Sequence, residues 1–139
     1  MKKIIITFGT FDLFHIGHKR ILQRAARLGD ELHVGVSSDQ FNFRKKNVFP
    51  INSQEDRMEI VGAIKGVTAV FLEESMEAKR EYIDRVGAHI LVMGDDWKGK
   101  FDYLVGEAST LEQVIYLPRT EGISTTEIEQ IIRTKPARS

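Results

Sequence analysis

Residues 3–18 read KIIITFGTFDLFHIGH, and this stretch contains the pattern that determines the fold. Its run of β-branched and apolar residues stops at Gly9, which is typical of a buried strand. Apolar residues at helical spacing follow as far as Gly29, so we expect a helix to begin near His15 and to end at that glycine. The stretch therefore predicts a strand, a glycine-containing junction and a helix.

The same alternation continues along the chain. Strand patterns cover 3–8, 31–37, 67–72, 89–93 and 113–117, and helical patterns separate most of them, including 53–66 with Ser53 as N-cap and 76–86 ending at Gly87. Strands that alternate with helices favour an α/β fold, with a mostly parallel five-stranded sheet flanked by helices. We expect a single Rossmann-like domain over 1–133, followed by a polar, disordered tail at 134–139.

Composition narrows the class of protein. The 139 residues contain 20 basic and 20 acidic side chains and no cysteine, so disulfides and thiolate metal sites are excluded. A nucleic-acid partner is not expected, because general nucleic-acid binders carry a basic excess. No apolar stretch approaches the ~18 residues of a membrane helix. We therefore expect a soluble cytoplasmic protein that does not act at a membrane.

The first strand–helix junction has the chemistry of a phosphate site. His15 and His18 lie three residues apart in the first turn of the predicted helix, and Gly17 between them leaves room for an anion. A helix start adds free N–H groups and the positive end of its dipole. Two alternatives remain at this point: ordinary surface or core histidines, or a zinc site, although His33 and His89 fall inside strands without convergent spacing.

A second junction follows the last strand and reads RTEGISTT over 119–126. Ser124 and Glu127 form a capping box, so this serine could serve only as a cap. A helix start nevertheless offers N–H groups to an anion, and Arg119 is a forked cation suited to phosphate.

These blocks resemble a known family. The segment 9–18, with its H-x-G-H element, resembles the signature of the cytidylyltransferase-like nucleotidyltransferases. The segments 93–102 and 119–126 are similar to motifs of its glycerol-3-phosphate cytidylyltransferase subfamily. The resemblance implies transfer of CMP from CTP to sn-glycerol 3-phosphate, giving CDP-glycerol and pyrophosphate, with Mg²⁺ as cofactor, a homodimer, and a role in teichoic acid synthesis.

The resemblance also assigns roles to residues of this chain. The catalytic set is His15, His18, Lys45 and Arg119, with no metal ligand among the protein side chains. The nucleotide-binding set is Thr7, Gly9, Thr10, Phe11, Asp12, Gly17, Gly94, Asp95, Asp96, Arg119, Gly122, Ile123, Ser124 and Thr125. The acceptor-binding set is Lys45, Lys46, Arg57 and Trp97.

Several of these roles have an ordinary structural alternative. Asp12 could cap a turn, Trp97 could cover the core instead of stacking on a base, and Lys45 with Lys46 could belong to a solvated charge run. The pair also departs from the family spacing, in which one residue separates the lysines. The function has alternatives too: a cytidylyl- or adenylyltransferase for another small alcohol phosphate, or a nucleotide-binding module without turnover.

Overall fold

The computed structural model describes residues 2–119, which form a five-stranded sheet with helices on both faces. The strands are β1 (Ile4–Gly9), β2 (Glu31–Ser37), β3 (Ala69–Glu73), β4 (Ile90–Gly94) and β5 (Gln113–Leu117). Their spatial order is β3-β2-β1-β4-β5, and every one of these neighbouring pairs is parallel. The predicted α/β architecture is confirmed, and the predicted strands differ from the observed ones by at most two residues at an end.

The helices are α1 (Ile16–Ala26), α2 (Asp39–Lys46), α3 (Gln54–Gly62), α4 (Lys79–Val86) and the short α5 (Leu104–Glu107), with a 3₁₀ turn at Asp95–Trp97. The sequence pattern predicts no helix at α2. The helix has no apolar stripe, since only Phe41 and Asn42 are buried. It is begun instead by the Ser38 side chain, which accepts a hydrogen bond from the Phe41 N–H.

Two hydrophobic clusters hold the layers together, one on each face of the sheet. Alternation along β1 divides its side chains, because Ile5 and Ile6 point to opposite faces. Ile5 packs in the cluster that holds Leu22 of α1 and Val61 of α3. Ile6 packs in the cluster of Ile83 on α4. Both faces of the central strands are therefore covered, which accounts for their almost uninterrupted apolar sequence.

The strand order places the site. From β1 the chain moves outward to β2 and β3, and later returns to the other side of β1 as β4. Such a switch point leaves a crevice beyond the carboxyl ends of the two central strands. Within 2–119 no helix is long and apolar enough to cross a membrane. The predicted helix from Ser124 and the predicted tail at 134–139 lie outside the described residues.

Candidate active site

A cleft of about 850 Å³ opens at the carboxyl ends of the central strands. It brings together residues from the junctions after β1, β2, β4 and β5, because the carboxyl ends of parallel strands lie at one edge of the sheet. The predicted site residues that line it are Thr7, Gly9, Thr10, Phe11, Asp12, His15, Gly17, His18, Lys45, Lys46, Gly94, Asp96, Trp97 and Arg119. Asp95 and Arg57 do not line it. Gly122, Ile123, Ser124 and Thr125 lie outside the described residues.

His15 and His18 form a reciprocal cap at the start of α1. The Nδ1 of His15 accepts from the Gly17 N–H at 3.0 Å, and the Nδ1 of His18 accepts from the His15 N–H at 3.1 Å. A nitrogen that accepts a backbone N–H carries no proton, so the proton of each neutral ring sits on Nε2. The backbone thus fixes both imidazoles as Nε2–H donors, and both rings line the cleft.

The surroundings keep these imidazoles neutral. Burial, followed by the repulsion that a protonated His15 would exert, lowers the pKa of His18 from 6.5 to about 3. Burial and then the nearby Arg119 guanidinium lower the pKa of His15. Arg119 lines the same cleft as both histidines. At neutral pH the site therefore offers two neutral donors together with a permanent cation from the last junction.

The loop between β1 and α1 is constrained by packing and by backbone conformation. Phe11 and Leu13 adopt left-handed backbone angles, with φ of 56° and 47°, which non-glycine residues rarely do. A Cβ on Gly9 would lie 2.9 Å from the Phe11 ring, so glycine lets that ring pack under the loop. Thr10 donates its hydroxyl proton to Asn42 Oδ1 at 3.0 Å, which joins the loop to α2.

Asp12 ties the same loop to the segment that precedes α3. Its two carboxylate oxygens accept the N–H groups of Ile51 and Asn52, each at 2.8 Å. Asn52 in turn accepts the N–H of Leu13 at 3.0 Å. The carboxylate is buried although it borders the cleft. Asp12 thus arranges the loop through backbone hydrogen bonds, which gives this acid a structural role beside the proposed phosphate site.

The sequence predicted that Arg57 contacts the acceptor, but the structure places this side chain elsewhere. The side chain is 1% exposed. Its guanidinium donates to the carbonyls of Asn52, Thr10 and Ser37 at 2.8–3.0 Å, and to Asp39 Oδ1 at 2.7 Å. These bonds occupy all three guanidinium nitrogens, so Arg57 supports the site from beneath and does not face the acceptor. The structure therefore contradicts the direct contact with the acceptor that was predicted for Arg57.

A wall of charged side chains closes the side of the cleft formed by β2, β3, α2 and α4. Lys45 donates from Nζ to Ser37 Oγ at 3.2 Å, and its Nζ lies 4.2 Å from the centroid of the Phe41 ring. Partial burial lowers the pKa of Lys45 to about 8, although the residue as a whole is exposed. Glu73 and Lys79 form an ion pair in the same wall, and both are buried.

The junction after β4 forms a 3₁₀ turn over Asp95–Trp97. Asp96 and Trp97 border the cleft, whereas Asp95 is exposed away from it. Trp97 packs against Phe101 with ring centroids 5.3 Å apart. The tryptophan thus covers part of the core and also borders the cleft, so both of the roles considered from the sequence fit its position.

Five polar or charged cleft residues are absent from the predicted site: Arg24, Ser37, Asn42, Glu73 and Lys79. Ser37 and Glu73 are the last residues of β2 and β3, and a search for polar residues at the carboxyl ends of the strands would have found both. Lys79 and Asn42 lie in helical stretches whose charged composition predicts exposure to solvent. Among residues 2–119, no cluster of three histidine, aspartate or glutamate side chains is placed to hold a metal ion.

Comparison with known proteins gives consistent results. The family described as Cytidylyltransferase-like matches residues 6–131. A glycerol-3-phosphate cytidylyltransferase of Bacillus subtilis is 47% identical over 95% of this chain and 98% of its own length. One of Staphylococcus aureus is 40% identical over 98% and 99%. Among solved structures, a lipopolysaccharide core biosynthesis protein from Thermoplasma volcanium has a TM-score of 0.77 at 22% identity, covering 87% of this chain and 100% of that one, which supports the fold.

Proposed function

The chain belongs to the cytidylyltransferase-like family, and from that premise we propose that it transfers CMP from CTP to glycerol 3-phosphate, forming CDP-glycerol and pyrophosphate. The observation that carries this proposal is the cleft itself. It places two neutral imidazole donors at a helix start beside Arg119, and it places lysines on the wall formed by β2, β3, α2 and α4. One cleft therefore holds groups for a triphosphate and groups for a second phosphate.

The reaction needs no covalent enzyme intermediate. An oxygen of the acceptor's phosphate attacks the α-phosphorus of CTP and forms the new P–O bond. The bond from that phosphorus to the bridging oxygen of the β-phosphate breaks, and pyrophosphate leaves with the electron pair. The nucleophile is already an anion, so the protein has no proton to remove. Its task is to position the two phosphates and to stabilise the charge that develops between them.

In this proposal His15 and His18 act as donors to the oxygens of the α-phosphoryl group. Their Nε2–H groups are preorganised by the backbone bonds to Nδ1, so no reorientation is needed as charge develops. Neutral imidazole suits this role, since a lowered pKa keeps the donor proton fixed at one atom through the working pH range. Arg119 supplies the permanent positive charge on the nucleotide side, and Lys45 with Lys46 supplies it on the acceptor side.

Mg²⁺ enters the proposal with the nucleotide. Magnesium prefers oxygen ligands and commonly binds through the phosphates of a substrate. The described residues provide no set of three acidic or imidazole side chains for it. The triphosphate would therefore supply its ligands, and we assign the ion no protein ligand and no step of the reaction.

We extend the proposal to the setting of the enzyme: a cytoplasmic homodimer whose CDP-glycerol is used for teichoic acid. The resemblance to the glycerol-3-phosphate cytidylyltransferases supports this extension. Size-exclusion chromatography with light scattering tests the dimer, and a monomer at the concentration of the assay would contradict it.

The central experiment measures pyrophosphate release from CTP and from ATP against a panel of small alcohol phosphates, with and without Mg²⁺. We expect turnover with CTP and glycerol 3-phosphate and the CDP-glycerol product by mass spectrometry. Preference for ATP, or for another polyol or amino-alcohol phosphate, would replace the assigned substrates. Nucleotide binding without turnover for any acceptor would identify a binding module instead.

A further inference from the structure

A buried carboxylate stands in the wall of the cleft where a phosphate is expected to bind. Glu73 ends β3 and is 2% exposed, and Lys79 at the start of α4 is also 2% exposed. A buried ion pair is often no more stable than apolar residues of the same size, because both charges must leave water. Stability is therefore a weak reason for this pair, and its position at the cleft suggests a task there.

The contacts of Glu73 reach both lysines of the wall. Lys79 donates from Nζ directly to Glu73 Oε2. On the other side, the Ser37 hydroxyl is hydrogen-bonded to the Glu73 carboxylate, and Lys45 donates to Ser37 Oγ at 3.2 Å. Because Ser37 has a single hydroxyl proton and its oxygen accepts from Lys45, that proton is the one given to Glu73. One carboxylate thus anchors two ammonium groups, the first directly and the second through a serine.

The charges around this network come from several elements. Burial lowers the pKa of both Lys45 and Lys79, and the negative charge of Glu73 raises it again in each case. Lys46 on α2, Lys79 on α4 and Arg57 on α3 push the pKa of Lys45 further down. Burial raises the pKa of Glu73, and the two lysines oppose that effect. Glu73 is therefore the one group among these that favours protonated lysines.

We propose that Glu73 is a positioning residue for the acceptor: it holds Lys79 directly and Lys45 through Ser37, and it keeps both ammonium groups charged to receive the acceptor's phosphate. The inference rests on the proposed function for the identity of that phosphate. Glu73 itself does not touch the phosphate in this arrangement, since its oxygens are turned to Lys79 and Ser37. The network carries two positive charges and one negative charge, so it remains attractive to a dianion.

The decisive variant is Glu73→Gln, which keeps the shape of the side chain and an acceptor oxygen but removes the charge. The KM for glycerol 3-phosphate should begin to rise at a pH about one unit lower than in the wild type. A shift of this size is expected when one nearby opposite charge is lost. The KM for CTP, measured in the same assays, should keep its wild-type pH dependence. The acceptor's own phosphate also ionises with pH, but this affects the variant and the wild type equally, so comparing the two proteins removes its effect on KM.

Two further variants separate the positioning of the lysines by Glu73 from a general effect of losing a negative charge. Glu74→Gln makes the same change of charge at the exposed neighbouring residue, and it should leave the acceptor's pH profile unchanged. Ser37→Ala removes the bridge between Glu73 and Lys45 but leaves the direct Glu73–Lys79 pair, so it should lower the pKa of Lys45 more than that of Lys79. Thermal melts establish that each variant is folded, and Ser37→Ala carries the test if Glu73→Gln does not fold.

Titration of ¹³C-labelled lysine side chains by NMR, with inorganic phosphate as the probe of binding, gives a readout that needs no turnover. A wild-type protein without pyrophosphate release would overturn the proposed function. The inference about Glu73 would still stand if Glu73→Gln lowered the pKa of Lys45 and weakened phosphate binding near pH 8. It is wrong if Glu73→Gln and Glu74→Gln give the same lysine titration and the same phosphate affinity.

Discussion

The imidazole rings of His15 and His18 stack with centroids 3.8 Å apart and an angle of 25° between their planes. Two stacked rings at this distance cannot both be protonated without strong repulsion, and each already accepts a backbone N–H at Nδ1. The arrangement therefore fixes a pair of neutral donors.

The first prediction concerns the distal donor of His18. In His18→Asn the amide oxygen can replace Nδ1 as acceptor of the His15 N–H, whereas nothing replaces Nε2–H. We expect a folded protein whose kcat is lower by about 10²–10³-fold, the usual cost of removing one preorganised donor to a developing oxyanion. Steady-state pyrophosphate release measures the change. Turnover near the wild-type rate in a folded His18→Asn protein would contradict the assigned role.

The second prediction concerns stability in acid. The pKa of His18 is about 3 in the folded protein and 6.5 for a free imidazole, so between these values only the unfolded chain binds the proton. This contribution to stability is complete above pH 6.5 and is lost progressively as the pH falls towards 3. The loss at pH 5 is about 2 kcal/mol. Urea unfolding at pH 5 and 7.5 measures it.

His18→Asn serves here as the control, because asparagine does not titrate. The variant should lose less stability than the wild type between pH 7.5 and pH 5, by about the amount assigned to the histidine. An equal loss in both proteins would show that His18 is protonated normally in the folded state, and the neutral-donor assignment would then be wrong.

The sequence predicted the sheet well because the central strands are buried on both faces. Continuous β-branched runs such as that of β1 leave few alternatives, and the predicted bounds of β2 and β5 are those observed. The position of the cleft follows from the rule for carboxyl ends of parallel strands. By contrast, α2 has no apolar periodicity, and a local serine cap together with tertiary contacts decides it.

The buried charges of the site could not be predicted from the sequence. Arg57 and Lys79 lie in segments rich in Glu, Asp, Lys and Arg, where a charged residue normally faces water. Their burial depends on partners distant in sequence, such as the carbonyl of Thr10 for Arg57. A motif therefore indicates that an arginine is present near the site, but only the three-dimensional structure distinguishes a contact with substrate from a contact with the loops beneath it.

The third prediction tests that distinction at Arg57. A lysine cannot bridge the Thr10, Ser37 and Asn52 carbonyls and Asp39 together, so Arg57→Lys should destabilise the fold by about 3 kcal/mol. Because Thr10 and Ser37 belong to different junctions, the KM values for CTP and for the acceptor should both rise. Arg80→Lys, at an exposed position, is the matched control and should change neither. An unchanged stability with a higher KM for the acceptor alone would restore the direct contact.

The last prediction concerns Asp12, whose two oxygens accept the N–H groups of Ile51 and Asn52. In Asp12→Asn the amide oxygen can accept one of them, but the amide nitrogen then opposes the other N–H, donor against donor. We expect a loss of about 1–3 kcal/mol in stability. We also expect kcat to fall by up to about 10²-fold, because the loop that carries the histidines moves relative to the rest of the cleft.

Asp30→Asn is the appropriate control for Asp12→Asn. Asp30 also accepts a backbone N–H, that of Lys3 at 2.7 Å, but it lies beside the amino end of β1, opposite the cleft. This variant exchanges a charge-assisted hydrogen bond for a neutral one, so it should lose some stability without losing kcat. If Asp12→Asn and Asp30→Asn reduced stability equally and both kept the wild-type kcat, the hydrogen bonds of Asp12 would serve the fold alone. Loss of kcat in Asp12→Asn alone would instead link the geometry of the histidine loop to the backbone at Ile51 and Asn52.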